Sequence, residues 1–158
     1  MEKKLKKNNF INFSKNFKKI NSKNLEELNN ITKNNNFNSR FCLHEKFHDK
    51  QQEMIICQKQ NLSYPPKKII KSDQSFLILK GKLLIIIFDN YGKIKDKIIL
   101  SKNNNIYLRV KKNTFHCDIP LTPFSIHLEI KNCIFNKNTN KIAKFKFDPK
   151  KVISKLKY

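Results

Sequence analysis

A chain of 158 residues with a formal net charge of +22 and 39% hydrophobic residues is sized for a single packed core. No apolar run approaches the roughly 20 residues that span a bilayer; the longest, Leu83 to Phe88, suits one buried strand. The basic start from Met1 to Asn9 has no apolar stretch behind it, which argues against a secretory signal.

The early segment is rich in Asn and Lys, with apolar residues at Phe10, Phe13, Phe17 and Ile20 and again at Leu25, Leu28 and Ile31. These spacings predict one or two amphipathic helices, with Ser22 or Asn24 as the cap before Leu25-Glu26-Glu27-Leu28. A loop follows over Asn34 to Asn36. From about residue 52 the texture becomes β. Short runs rich in Ile, Leu and Phe cover Glu53–Lys59, Ser75–Lys80, Lys82–Asp89, Lys95–Leu100, Asn105–Val110, Phe124–Lys131 and Ile142–Phe147. Turn residues separate them at Pro65-Pro66, Gly81, Asp89 to Gly92, Asn103 to Asn105, Pro120 and Asn136 to Asn140. Asp89-Asn90-Tyr91-Gly92 predicts a hairpin loop. Such a succession of strands with helix confined to the start predicts a mainly β fold, an antiparallel sandwich or barrel. The expected organisation is a helical extension over 1–36, a β-barrel over 37–150 and a C-terminal tail over 151–158, where a short helix is one option.

The charge is almost entirely Lys, scattered along the chain, with Arg only at Arg40 and Arg109. Lys, Asn and Ile together suggest a compositional bias, and no RNP-like aromatic strand or zinc-finger spacing accompanies them. Nucleic acid is therefore expected to attract the chain only non-specifically, although a basic RNA-associated protein stays as an alternative. The two arginines stand out because a guanidinium grips a planar anion in a way Lys does not. Cys42, Cys57, Cys117 and Cys133 form no C-x-x-C pair, so reduced thiols and a cytoplasmic location are expected. Cys117 lacks an orienting group and is a poor nucleophile candidate. His44-Glu45-Lys46-Phe47-His48 spells H-E-x-x-H, yet zinc chemistry needs that motif on a helix with a third ligand downstream. A protease is not expected.

Lys67, Ile69, Gln74 and Gly81 stand at the spacing of a first cupin motif, whose slots normally hold His-x-His, Glu and Gly. Lys111-x-Asn113-x-x-His116 resembles the second motif, with Asn in a left-handed turn that usually takes Gly. More specifically, Arg40-Phe41-Cys42-Leu43-His44, Gln52 to Ile56, Ser63-Tyr64-x-Pro66, Phe88-Asp89-x-x-Gly92-x-Ile94, Tyr107-x-Arg109, Phe115-His116 and Leu128-Glu129 resemble the WbuC family of small cupin-fold proteins. The resemblance runs from about Asn38 to Pro149. It implies a jelly-roll barrel, a divalent metal, and a link to O-antigen-type surface polysaccharide biosynthesis. It also implies that His44 begins an early strand and His48 lies in the next loop, and that a homodimer through sheet edges is an option.

The chain departs from that family where metal is bound. Pro66-Lys67-Lys68-Ile69 replaces Pro-His-x-His, Gln74 replaces Glu, and Cys133-Ile134-Phe135 replaces Gly-Pro-Phe. Only His116 of the ligand slots survives, so no cofactor is expected. The expected ligand pocket comprises Arg40, His44, Tyr64, Lys67, Gln74, Arg109, His116 and Glu129, holding a small polar or anionic ligand such as a sugar. His127 shares a strand face with Glu129, whose carboxylate would pair with Arg40 or His116 if that face points inward. Desolvation would lower the Lys67 pKa and make Lys67 and His116 the candidate catalytic pair of a sugar isomerase or epimerase. Alternatively, Lys67 extends to solvent from a decayed site.

Overall fold

The structure, a computed structural model, describes residues 8–10, 17–46, 48–134, 136 and 138–156. In chain order the elements are β1 (Asn8–Phe10), α1 (Ser22–Asn34), β2 (Ser39–Cys42), β3 (Gln52–Lys59), β4 (Lys67–Ile69), β5 (Gln74–Lys80), β6 (Leu83–Phe88), β7 (Ile94–Leu100), β8 (Tyr107–Val110), β9 (Phe115–Pro120), β10 (Phe124–Lys131), β11 (Asn140–Ile142) and α2 (Pro149–Ile153). Two sheets face each other, one ordered β1-β2-β3-β10-β5-β8 and the other β11-β4-β9-β6-β7. The β1–β2 pair is parallel; the remaining pairs are antiparallel.

Three apolar layers hold this arrangement. Between the sheets, Phe76, Ile78, Leu83, Ile85, Leu100 and Val110 pack together. Outside the first sheet, Leu28 of α1 covers Phe41, Ile55, Cys57 and Ile126. Outside the second sheet, Leu84, Ile86, Phe88, Cys117 and Ile119 are covered by Val152 of α2 and by Phe145 and Phe147. The unbroken run Leu83 to Phe88 follows from this burial on both faces: its odd residues feed the inner layer and its even residues the outer one.

Turn chemistry follows the sequence closely. Asp89 Oδ1 accepts from the backbone N–H of Tyr91 and of Lys93, each at 2.9 Å, and closes the β6–β7 hairpin. Asn113 sits at φ 64 as expected of the left-handed turn before His116. Gly81 has φ 78, and a Cβ there would lie 2.5 Å from the carbonyl oxygen of Phe124.

Four expectations change. The cap of α1 is Asn21, not Ser22 or Asn24: Asn21 Oδ1 accepts from the Asn24 N–H, and Asn24 Oδ1 accepts from the Asn21 N–H. Phe10 belongs to a strand beside β2 rather than to a helix, while Phe13 lies outside the described residues. The predicted strand Ile142–Phe147 is replaced by Asn140–Ile142, because Phe145 and Phe147 turn away to stack on Phe88 at 5.3 and 5.0 Å. Finally, β9 is a strand the sequence pattern concealed, and Pro120 ends it instead of forming a turn. Its apolar Cys117 and Ile119 face outward under α2, while its polar His116 and Asp118 are buried on the other side.

Candidate functional site

The inner face of β10 is polar along its length. Ser125, His127, Glu129 and Lys131 alternate inward and are all buried. Opposite them, β4 directs Lys67 and Ile69 inward, and β9 directs His116 and Asp118. Lys67 and His116 are direct partners across the β4–β9 pair. Thus Lys67 and His116 meet across the strand pair and Gln74 reaches His116 from β5, while Ile69 is buried on the same face of β4 as Lys67.

Glu129 sits between two lysines. Lys131 Nζ is 3.2 Å from Oε1, and Lys67 Nζ is 3.9 Å from Oε2. Burial alone pushes the Glu129 pKa up, but Lys67 and Lys131 outweigh it and hold the carboxyl well below the usual carboxylate range. For Lys67, burial pulls the pKa down, yet Glu129 and Asp118 overcome that and raise it above the ordinary lysine value. The expected low-pKa amine is therefore corrected: Lys67 is an ammonium, unsuited to act as a base or to form a Schiff base. At 3.9 Å it has an ion-pair partner but, among the described residues, no hydrogen-bond acceptor within reach.

His116 is 1% exposed. Its Nδ1 is 2.9 Å from the Thr114 carbonyl oxygen and its Nε2 is 3.0 Å from Gln74 Oε1. Two acceptors around one ring suit an imidazolium. Burial, and next the Lys67 charge, nevertheless push the pKa down to about 4. Near neutral pH the ring is neutral, and both contacts are satisfied only with the Gln74 amide reversed so that its N–H donates to Nε2. Burial likewise lowers the pKa of His127.

Beside this interior opens a cavity of about 330 Å³. Arg40, Lys67, Glu129 and Lys131 supply its charge, Ile56, Tyr64, Pro65 and Ile142 its apolar walls, and Asn136 and Asn140 its remaining polar groups. Arg40 reaches Tyr64 Oη at 3.0 Å. Four of the expected residues, Arg40, Tyr64, Lys67 and Glu129, line this cavity. Gln74 and His116 lie buried and in contact with each other, not on its surface. Two expected residues are elsewhere. Arg109 is an exposed residue of β8 whose Nε donates to Asp73 Oδ2 at 2.9 Å. His44 follows the end of β2 instead of beginning a strand, and its Nδ1 is 3.0 Å from the Glu53 carbonyl oxygen. Residues 44–46 and 48 form bends and a turn with no helix, so the H-E-x-x-H spelling does not place its histidines on one helical face. Glu129 does point inward, but its partners are Lys67 and Lys131, not Arg40 or His116.

Sequence reasoning passed over Lys131, Asp118 and Asn140. The first two were legible as Glu129-x-Lys131 and His116-x-Asp118, where alternation puts both members on one face. Asn140 carried no such signal, because its place depends on β11 pairing with β4. The four cysteines are free and buried, and burial raises the Cys117 thiol pKa far beyond the reactive range.

The residues present do not fit a divalent metal. Among the described residues no cluster of His, Cys, Asp and Glu is placed to hold one. Ile69 offers no donor, His116 Nε2 is engaged with Gln74, and Lys67 brings a positive charge where a cation would need ligands.

No protein-family model and no curated protein matches the chain. Solved structures do. Protein SO0799 from Shewanella oneidensis matches at 9% identity over 70% of this chain and 70% of that one, with a TM-score of 0.53. The capsular polysaccharide assembling protein CapF from Staphylococcus aureus matches at 16% identity over 68% of this chain, with a TM-score of 0.55. The chain spans only 32% of CapF. A dTDP-4-dehydrorhamnose 3,5-epimerase from Elizabethkingia anophelis NUHP1 matches at 15% identity over 60% of this chain and 56% of that one, with a TM-score of 0.50. At such identities the likeness is one of fold: a cupin-type jelly-roll barrel preceded by a helix.

Proposed function

We propose that this chain is a WbuC-like cupin-fold protein of cell-surface polysaccharide or nucleotide-sugar metabolism, acting in the cytoplasm and binding a small polar or anionic ligand without a metal. The observation that carries this reading is the charge of the cavity. Arg40, Lys67 and Lys131 line it against the single lining carboxylate of Glu129, and the Lys67 ammonium has no hydrogen-bond acceptor among the described residues. The Lys67 side chain is 21% exposed, so its ammonium opens to the cavity with donors free for an anion from solution. The polysaccharide and sugar roles that CapF and the dTDP-sugar epimerase are named for support the sugar context by analogy of fold.

The isomerase alternative has less support. Lys67 is protonated, and His116 meets Gln74 rather than the cavity. Calorimetry of the purified protein against simple carboxylates, acidic and neutral sugars and sugar nucleotides tests the binding reading. At least one anionic compound is expected to bind, and Lys67→Ala is expected to weaken it at least tenfold. Silence across the whole panel, or an unchanged affinity in Lys67→Ala, would refute the proposal.

A further inference from the structure

We infer that the cavity takes a hexuronic acid ring, with the carboxylate held by Lys67 and Arg40 and the hydroxyls by Asn140 and Glu129. This rests on the binding reading above and deepens it to a ligand class. Three observations carry it. First, the donors lacking acceptors among the cavity-lining residues are cationic: the Lys67 ammonium, and Arg40 Nε, which is buried with no hydrogen-bond partner. A guanidinium edge is matched by a planar carboxylate. Second, Asn140 Oδ1 is buried without a partner, and Glu129 Oε2 faces Lys67 only at 3.9 Å. Both are acceptors, and they call for hydroxyl donors on the same ligand. Third, Tyr64, Ile56, Pro65 and Ile142 supply an apolar wall. The C–H face of a pyranose covers such a wall; inorganic phosphate leaves it bare.

Size narrows the class further. At about 330 Å³ the cavity is at the lower end of ligand sites, which run from about 300 to 1,000 Å³. One ring fits within it, and a nucleotide attached to that ring would extend towards the open side, past Ile142, which is 65% exposed. The recognised group is then the ring carboxylate and not a diphosphate.

The test is a set of paired titrations by calorimetry: glucuronate and galacturonate against glucose and galactose, UDP-glucuronate against UDP-glucose, and inorganic phosphate alone. Each acidic sugar is expected to bind at least tenfold tighter than its neutral partner, with phosphate silent. Arg40→Ala and Tyr64→Ala are each expected to weaken uronate binding at least tenfold. Arg40→Lys, which keeps the charge but loses the flat fork, should fall between Arg40→Ala and the native protein. Arg109→Ala should bind as the native protein does, and thermal melting of each variant identifies any that is unfolded. If phosphate, or both nucleotide sugars equally, bind while uronates show no preference, the uronate inference is wrong and the anion-site reading stands. If no compound in the set binds, both fall.

Discussion

Lys67 and His116 face each other as direct partners across the β4–β9 pair, and the cation adds to burial in keeping the imidazole neutral. Burial is the larger cause of the lowered His116 pKa and the Lys67 charge the second, so the ring titrates at about 4. Gln74, on its far side, contributes no charge to oppose them. Gln74→Glu is therefore expected to raise the His116 pKa by roughly 1–3 units, since a carboxylate in contact favours imidazolium. Imidazole chemical shifts followed through an NMR pH titration measure this. A His116 pKa unmoved by the new carboxylate would show that the two side chains do not meet.

The same histidine sets an acid limit on stability. Unfolded, it takes a proton near 6.5; folded, only near 4. Between those values the unfolded chain binds more protons, so stability present above pH 6.5 is lost as the pH falls towards 4. The loss amounts to about 3 kcal/mol from His116 alone. His127 is shifted the same way, and Glu129, with a carboxyl depressed from 4.5, extends the decline to more acid pH. Urea unfolding at several pH values from about 7 to about 4 should show midpoints falling with acidity, and His116→Gln should flatten that slope.

Glu129 joins the buried Lys131 to the partly buried Lys67. Glu129→Gln leaves Lys67 and Lys131 facing each other across a neutral amide, and a cost of about 3–5 kcal/mol is expected. Denaturant melts read this directly. A loss below about 1 kcal/mol would mean that both lysines already reach water.

Arg109 provides the contrast. Its side chain is 59% exposed in its pair with Asp73. Arg109→Ala is expected to cost less than about 1 kcal/mol and to leave ligand affinity unchanged. A loss of binding in this variant would move the site away from the described cavity.

Gly81 closes the β5–β6 turn with φ 78, where an added Cβ meets the Phe124 carbonyl oxygen at 2.5 Å. Backbone against backbone has no rotamer to yield. Gly81→Ala should thus destabilise by more than about 1 kcal/mol in thermal or chemical melts.

The strands with ordinary patterning were readable from residues alone. Ser75–Lys80 and Phe124–Lys131 alternate or run apolar between turn residues, and β5 and β10 appear there. Others were hidden for a physical reason. In β9 the inward face is His116 and Asp118 and the outward face Cys117 and Ile119, an inversion that defeats a reading in which polar means outside. Arg109 looked like an anion ligand because it was scarce, but scarcity carries no direction; β8 lies at the sheet edge and turns it to solvent.

By itself the amino-acid order determined the class of fold, the left-handed turn at Asn113 and the scarcity of metal-ligating side chains at Lys67, Ile69 and Gln74, because these depend on neighbours a few residues apart. Only the packing of two sheets decided that Glu129 joins Lys67 to Lys131, that Lys67 stays charged and His116 neutral, and that Arg40 and Asn140 share one cavity. Those outcomes depend on water being excluded and on charges from distant segments being brought together, and neither condition exists until the barrel has closed.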